Sequence, residues 1–133
     1  MNERYLQHTF ECRDIIDITF CATLYKVCNN KQFEIMSGSD FANFLNLKPT
    51  QKEVVIRYRE KNRVYYLLNF IKKNMYYQEF ADKWLNDILK TLNLKYSDYH
   101  SHYADVKSAG TGKVNSEFIS DLQKALSIAQ NMA

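Results

Sequence analysis

Apolar residues recur at spacings of three and four along most of the chain, the spacing that places side chains on one face of an α-helix. In the clearest case, residues 78–92, polar residues such as Lys83 and Asp87 fall on the opposite face. The apolar stripe of this segment comprises Phe80, Ala81, Trp84, Leu85, Ile88, Leu89 and Leu92. Asn93 supplies a C-terminal stop. We predict a helix here, with Trp84 as a core anchor.

The N-terminal part of the chain has the same periodicity, over residues 3–28. Its stripe comprises Tyr5, Thr9, Cys12, Ile16, Thr19, Thr23 and Val27. We predict one long packing helix that stops at Asn29 and Asn30. Residues 33–36 are one of two segments for which we expect a short extended piece.

Two helices are predicted on either side of Pro49. Ser39 is a suitable N-cap for a short helix, which must end before the proline. Thr50 followed by Glu53 fits a capping box, so a second helix is predicted to begin at once. The β-branched residues 54–56 favour an extended segment over 54–58 instead. From Arg59 onward the helix pattern is continuous, with an apolar stripe of Val64, Leu67, Leu68, Ile71 and Met75.

Two further helices complete the prediction. Ser97 is expected to cap a helix that carries Tyr99, Tyr103 and Val106, and Asn115 or Ser116 to cap a last helix over residues 117–131. Few glycines and a single proline agree with a helical chain. The predicted fold is therefore an all-α, single-domain bundle of five to six helices spanning residues 1–133, with at most a short extended segment.

Charge is distributed unevenly along the chain. Residues 48–73 hold eight basic and two acidic residues, a net charge of +6, whereas the whole chain carries only +3. The basic residues are Lys48, Lys52, Arg57, Arg59, Lys61, Arg63, Lys72 and Lys73. A local excess of this kind attracts polyanions.

Placed on a helix, this window has a second face opposite its apolar stripe. That face comprises Arg59, Asn62, Arg63, Tyr66, Asn69, Phe70 and Lys73. Cations pair with phosphates, amides read bases or sugars, and aromatic rings stack on bases. The alternative is that both faces are buried and the arginine stems run between neighbouring elements. Arg59, Arg63 and Lys73 are the cations aligned with the aromatic residues.

Residues 37–73 also have the outline of a helix-turn-helix unit, with a tight turn at Asn46, Leu47 and Lys48 followed by a basic helix. The match is loose. Asn46 stands where glycine is usual, and Lys52 falls where the second helix normally presents an apolar residue. Two short helices around a proline in any bundle would look similar.

No pattern of a catalytic or metal site is present. Cys12, Cys21 and Cys28 form no CxxC pair, and His100 and His102 point apart on a helix. Residues 110–113 resemble a phosphate-binding loop but lack its first glycine, and Val114 stands where a metal-ligating hydroxyl belongs. Glu11, Asp14 and Asp17 are spread as on a solvated helix face. We expect no enzyme, no cofactor and no metal.

These patterns predict a small nucleic-acid-binding or regulatory protein; the alternative is a protein-interaction module, an adaptor or inhibitor that meets an acidic partner. The predicted nucleic-acid-binding residues are Lys52, Arg57, Arg59, Lys61, Asn62, Arg63, Tyr66, Lys72 and Lys73. Charged residues interrupt the N-terminal apolar runs, so neither a signal peptide nor a membrane span is expected, and the cysteine usage favours the cytoplasm.

Overall fold

The computed structural model describes residues 14–108 and 112–132, which form six α-helices and two short 3₁₀ helices. The α-helices are α1 (Ile18–Cys28), α2 (Gly38–Leu45), α3 (Lys61–Lys73), α4 (Ala81–Thr91), α5 (Tyr96–His102) and α6 (Lys113–Met132). The 3₁₀ helices, Gln78–Phe80 and Asp105–Lys107, precede α4 and follow α5. The predicted all-α bundle is confirmed.

Helix α1 is shorter than the predicted N-terminal helix. It begins after Asp17, whose carboxylate accepts from the backbone N–H groups of Thr19 and Phe20. Residues 14–17 are not helical, because the buried side chain of Asn46 accepts from the N–H of Ile16 at 2.7 Å and donates to its carbonyl oxygen at 3.1 Å. The stripe residues Tyr5, Thr9 and Cys12 lie outside the described residues. Asn29 ends the helix as predicted.

The core is built where α1 packs along α6 and against α2, and where α3 packs against α4 and α5. Phe33, Phe41 and Phe44 form an aromatic cluster with ring centroids 5.7 to 6.4 Å apart. Trp84 is 1% exposed, and its indole N–H donates to the carbonyl oxygen of Leu45 at 2.7 Å. The prediction that Trp84 anchors the core is confirmed.

The connection between α2 and α3 differs most from the prediction, because residues 46–60 contain no helix. The capping box at Thr50 and Glu53 does not form. Instead the buried carboxylate of Asp40 accepts from the N–H groups of Gln51 at 2.9 Å and Lys52 at 3.2 Å. The predicted helix start is wrong because a side chain from α2 captures the amides that would have begun it.

The second half of this connection is extended. An isolated antiparallel bridge joins Phe33 to Ile56, flanked by hydrogen bonds from Glu34 N to Val55 O and from Arg57 N to Gln32 O. The two segments expected to contain extended structure, residues 33–36 and 54–58, therefore pair with each other. The tight turn of a helix-turn-helix unit is absent, since fifteen residues, 46–60, separate the two helices.

Several predicted helix starts are displaced. Ser37 rather than Ser39 caps α2, through a hydrogen bond from the N–H of Asp40 to its hydroxyl oxygen. The residue before α5 is Lys95, so Ser97 lies within the helix. Helix α6 begins at Lys113, which places Asn115 and Ser116 in its first turn and frees the Asn115 side chain for a contact with α3. Of the described helices, none combines the length and apolarity required to cross a bilayer.

Candidate nucleic-acid interface

The apolar stripe of α3 is buried as predicted, with Val64, Leu67, Leu68 and Ile71 fully covered. The opposite face, predicted to meet nucleic acid, also makes packing contacts. Its residues take three different roles in the structure: some join α3 to other elements, some end in surface ion pairs, and some precede the helix altogether.

Arg63 joins α3 to α6. Its Nε donates to Oδ1 of Asn115 at 2.7 Å, and its Nη1 donates to Oε2 of Glu60 at the same distance. Glu60 in turn accepts from Nε2 of the buried Gln32 at 3.2 Å. The Arg63 side chain is only 20% exposed. Its guanidinium is therefore held in one orientation by carboxylate and amide oxygens.

The aromatic and amide residues of the same face pack against other helices. Tyr66 contacts Phe118 of α6 edge-on, with ring centroids 6.3 Å apart, and partial burial raises the pKa of its hydroxyl. Phe70 contacts Phe20 of α1 at 6.4 Å. Asn69 accepts a hydrogen bond from the hydroxyl of Tyr99. Tyr66 and Phe70 are thus largely engaged in the bundle.

The lysines at the end of α3 are not grouped with these residues into one site. Lys72 pairs with Asp82 at 2.9 Å, which links α3 to the first turn of α4. Lys73 is exposed. At the other end of the basic window, Lys48 pairs with Asp14 at 2.8 Å. Such surface pairs neutralise cations locally and contribute little to stability.

The turn that precedes α3 presents an aromatic ring and a cation to solvent. The N–H of Glu60 donates to the carbonyl oxygen of Arg57 at 3.0 Å, so Tyr58 and Arg59 are the central residues of a β-turn. The Tyr58 side chain is 86% exposed, and the Arg59 guanidinium carbon lies 5.2 Å from the centre of its ring. This cation–π pair projects into solvent. Arg59 was predicted to lie on the helix face, but α3 begins only at Lys61.

Arg59 has a positive φ of 66°, in the left-handed region that costs energy for residues with a Cβ. The other described non-glycine residues with positive φ are Asn30, Leu47 and Asn93. Asparagine tolerates this region, and Leu47 packs against the core. Arg59 is exposed and gains no such packing.

Cations flank the turn on both sides. Lys52, Arg57 and Lys61 are all exposed, and the Arg57 guanidinium donates to the carbonyl oxygen of Asn30. We call the exposed residues Lys52, Arg57, Tyr58, Arg59 and Lys61, which lie within ten positions of the chain, the basic turn. It retains four of the nine residues predicted for nucleic-acid binding and adds Tyr58.

A cleft of about 300 Å³ adjoins the basic turn. It is lined by Arg59, Asn62, Arg63, Asp105, Val106 and Asn115. The carboxylate oxygen Oδ2 of Asp105 lies 2.8 Å from Nδ1 of His102. Sequence reasoning missed Asp105 and Asn115, because nothing in the local pattern indicates that the segment after α5 and the start of α6 come together beside α3.

A second cavity, of about 590 Å³, is mainly apolar and includes Ile16, Met75, Tyr76 and Leu126 among its lining residues. The two acids at its rim have structural roles, since Asp14 pairs with Lys48 and Asp17 caps α1. The lining of the cleft beside the basic turn is more polar, because five of its six residues carry polar side chains.

Across residues 14–108 and 112–132, no three His, Cys, Asp or Glu side chains are grouped as a metal site requires. Cys21 and Cys28 are buried free thiols, and burial raises the pKa of Cys21 to about 12. Both are therefore poor nucleophiles and poor ligands in the folded chain.

Comparison of the chain with protein families, with curated proteins and with solved structures finds no match.

Proposed function

We propose that this protein binds nucleic acid in single-stranded or unpaired form, with the basic turn as its contact surface. The observation that carries the proposal is the exposed pair of Tyr58 and Arg59, in which an aromatic ring and a guanidinium occupy the tip of a turn. Aromatic rings stack on unpaired bases with little sequence preference, and arginine adds both a cation and a planar stacking surface.

The conformation of Arg59 supports a functional interpretation of the turn. A residue with a Cβ at positive φ is costly unless its surroundings offset the cost, and such residues concentrate at binding and catalytic sites. Glycine or asparagine would form this turn more easily. The exposed arginine gains no core packing, so we infer that binding rather than stability accounts for it.

The charges around the turn support a polyanionic ligand. Lys52, Arg57 and Lys61 lie within the same connection or at the first position of α3, and all are exposed. Lysine and arginine contacts to phosphates supply affinity that is independent of sequence and falls with salt. Lys73 and Lys72, at the far end of α3, are more distant candidates for the same role.

An unpaired strand is favoured over duplex DNA. Base stacking on Tyr58 requires bases that are not already stacked within a helix. Reading the major groove with α3 would instead need its exposed face, and Arg63, Tyr66 and Phe70 are engaged with Asn115, Phe118 and Phe20. The proposal involves no catalytic step. Two reduced, buried thiols fit a protein that works in the cytoplasm.

The alternative is a protein-interaction module. Ile35 is 66% exposed, and Val55, three residues before Tyr58, is 42% exposed. The backbone N–H of Glu34, the neighbour of Ile35, donates to the carbonyl oxygen of Val55, so both apolar residues lie in the paired segments next to the turn. An acidic partner with an apolar centre would fit this surface together with the basic turn.

The test is the binding of fluorescently labelled oligonucleotides, followed by anisotropy. Single-stranded RNA and DNA should bind more tightly than a duplex of equal length, with affinity falling as salt rises. Tyr58→Ala should weaken binding about ten-fold and Tyr58→Trp should preserve it. Tyr76→Ala is the matched control, because Tyr76 is 88% exposed but lies outside the basic turn.

Charge reversal gives a second readout. Arg59→Glu with Lys61→Glu should reduce the slope of log affinity against log salt by about 0.7 for each phosphate that the variant no longer neutralises. Wild-type affinity in both Tyr58→Ala and the double charge reversal would overturn the proposal. A complex with an acidic protein that survives nuclease treatment would favour the interaction module.

A further inference from the structure

The cleft beside the basic turn combines fixed hydrogen-bond donors with a carboxylate acceptor. We propose that it is a pocket for a guanine base, an inference that rests on the proposed function and adds a preferred base to it. The pocket residues are Arg59, Asn62, Arg63, Asp105, Val106 and Asn115.

The donors of the cleft come from α3 and the turn before it. Arg63 is held by Glu60 and Asn115, and these bonds use only two of its N–H donors. Asn62, next to it on α3, is exposed. A guanidinium that is already immobilised loses little entropy when a ligand binds. Guanine presents two acceptors, O6 and N7, which suit arginine and amide donors.

The acceptor of the cleft is Asp105. Its Oδ2 faces the Nδ1 of His102 at 2.8 Å, which orients the carboxylate. Guanine carries adjacent donors at N1 and N2 on its Watson–Crick edge, and a carboxylate can accept from both. Adenine has an acceptor at N1 and no amino group on C2, so the same carboxylate would repel it. The combination of donors and carboxylate therefore distinguishes the two purines.

The size and position of the cleft agree with one base rather than a larger ligand. Its volume of about 300 Å³ is at the lower end of the range for ligand sites. Val106, in the 3₁₀ helix after α5, is the apolar residue of the lining and is itself 3% exposed. Arg59 belongs both to the cleft and to the cation–π pair with Tyr58. A strand with one base on Tyr58 thus has the cleft immediately beside it.

The experiment compares free nucleotides with an oligonucleotide. Guanosine, inosine and adenosine 5′-monophosphates and inorganic phosphate are titrated into the full chain, and the side-chain amide signals of Asn62 and Asn115 are followed by NMR. The guanosine nucleotide should shift both signals and bind about ten-fold more tightly than the adenosine nucleotide. Inosine, which lacks the N2 amino group, should fall between them.

Substitutions then test the carboxylate. Asp105→Asn should abolish the preference for guanine over adenine, whereas His102→Ala, which removes the neighbour but keeps the carboxylate, should retain it. Asp98→Asn, on the exposed side of α5, is the control. Should Asp105→Asn fail to fold, the ranking of nucleotides on the wild-type chain decides alone.

Equal binding of the guanosine and adenosine nucleotides, or identical shifts from phosphate alone, would overturn the guanine pocket. Oligonucleotide binding that depends on Tyr58 but shows no preference for guanine would also overturn it and leave the proposed function intact. A nucleotide preference without oligonucleotide binding would reject the proposed function and assign the cleft to a free guanine nucleotide.

Discussion

The Nε of Arg63 donates to Oδ1 of Asn115 at 2.7 Å and so ties α3 to the first turn of α6, across 52 residues of sequence. The same guanidinium also donates to Glu60. Arg63 was predicted to bind phosphate, but in the structure its guanidinium connects parts of the bundle. The same contact forms one wall of the cleft. Arg63 therefore stabilises the bundle and orients the cleft at once.

Arg63→Ala should lower the free energy of unfolding by about 2 kcal/mol, because it removes charge-assisted hydrogen bonds and leaves Glu60 and Asn115 without this partner. Urea denaturation measures the change. A double-mutant cycle with Asn115→Ala should give a coupling of about 1 kcal/mol. Lys73→Ala, on the exposed end of the same helix, should change stability by less than about 0.5 kcal/mol. If the effects of the two single substitutions simply add in the double variant, the Arg63–Asn115 hydrogen bond contributes nothing to stability.

Asp40→Asn should destabilise the chain by about 2 kcal/mol, since an amide group would then face one of the two N–H donors, Gln51 or Lys52. In this variant, hydrogen exchange at these two amides should accelerate more than exchange at the amides of the helices. Asp87→Asn is the control, because that carboxylate pairs with the exposed Lys83 on the surface. Unchanged protection of Gln51 and Lys52 would contradict the role assigned to Asp40.

Arg59→Gly should leave the protein as stable as the wild type or raise its free energy of unfolding by about 0.5 kcal/mol, because glycine adopts a φ of 66° without the penalty of a Cβ. Arg57→Gly, at a position without positive φ, should destabilise by about 0.5 to 1 kcal/mol. Both variants should weaken oligonucleotide binding. Thermal unfolding and anisotropy, measured on the same samples, separate the two effects. A marked destabilisation by Arg59→Gly would mean that the arginine supports the fold.

Alkaline pH should destabilise the protein through Cys21. Burial raises the pKa of this thiol from 9.0 to about 12, so the folded chain holds the proton more tightly than the unfolded chain. The resulting stabilisation is complete below pH 9 and is lost as the pH rises towards about 12. At pH 8, peptide mapping after iodoacetamide treatment should show slow labelling of Cys21 and Cys28, with fast labelling in urea. Fast labelling of the folded chain would contradict burial of these thiols.

Most helices were predictable because their signal is local. The apolar stripe of residues 78–92 predicted the element that the structure divides into a 3₁₀ turn and α4, and Trp84 occupies the core as its stripe requires. Asn29 and Asn93 marked helix ends for the same reason: their preference for caps is a property of the residue itself.

The candidate site was only partly predictable. Positive charge over residues 48–73 marked the window that contains the basic turn, and Lys52, Arg57, Arg59 and Lys61 are exposed there. The prediction that Arg59 lies on a helix was wrong. The hydrogen bonds to Asp40 and the pairing of Phe33 with Ile56 keep residues 50–57 in a non-helical conformation. These are contacts between residues 11 to 23 positions apart, which no local pattern encodes.

By itself, then, the sequence determined that the chain is a helical bundle, where most of its helices lie and where its positive charge is concentrated, because periodicity and charge are properties of neighbouring residues. The tertiary structure alone decided which side chains of the basic window face solvent. Asn115 and Phe118 of α6 engage Arg63 and Tyr66, while the turn at Tyr58 and Arg59 remains uncovered. Burial depends on the segments that fold against a surface, and those segments are distant in the chain.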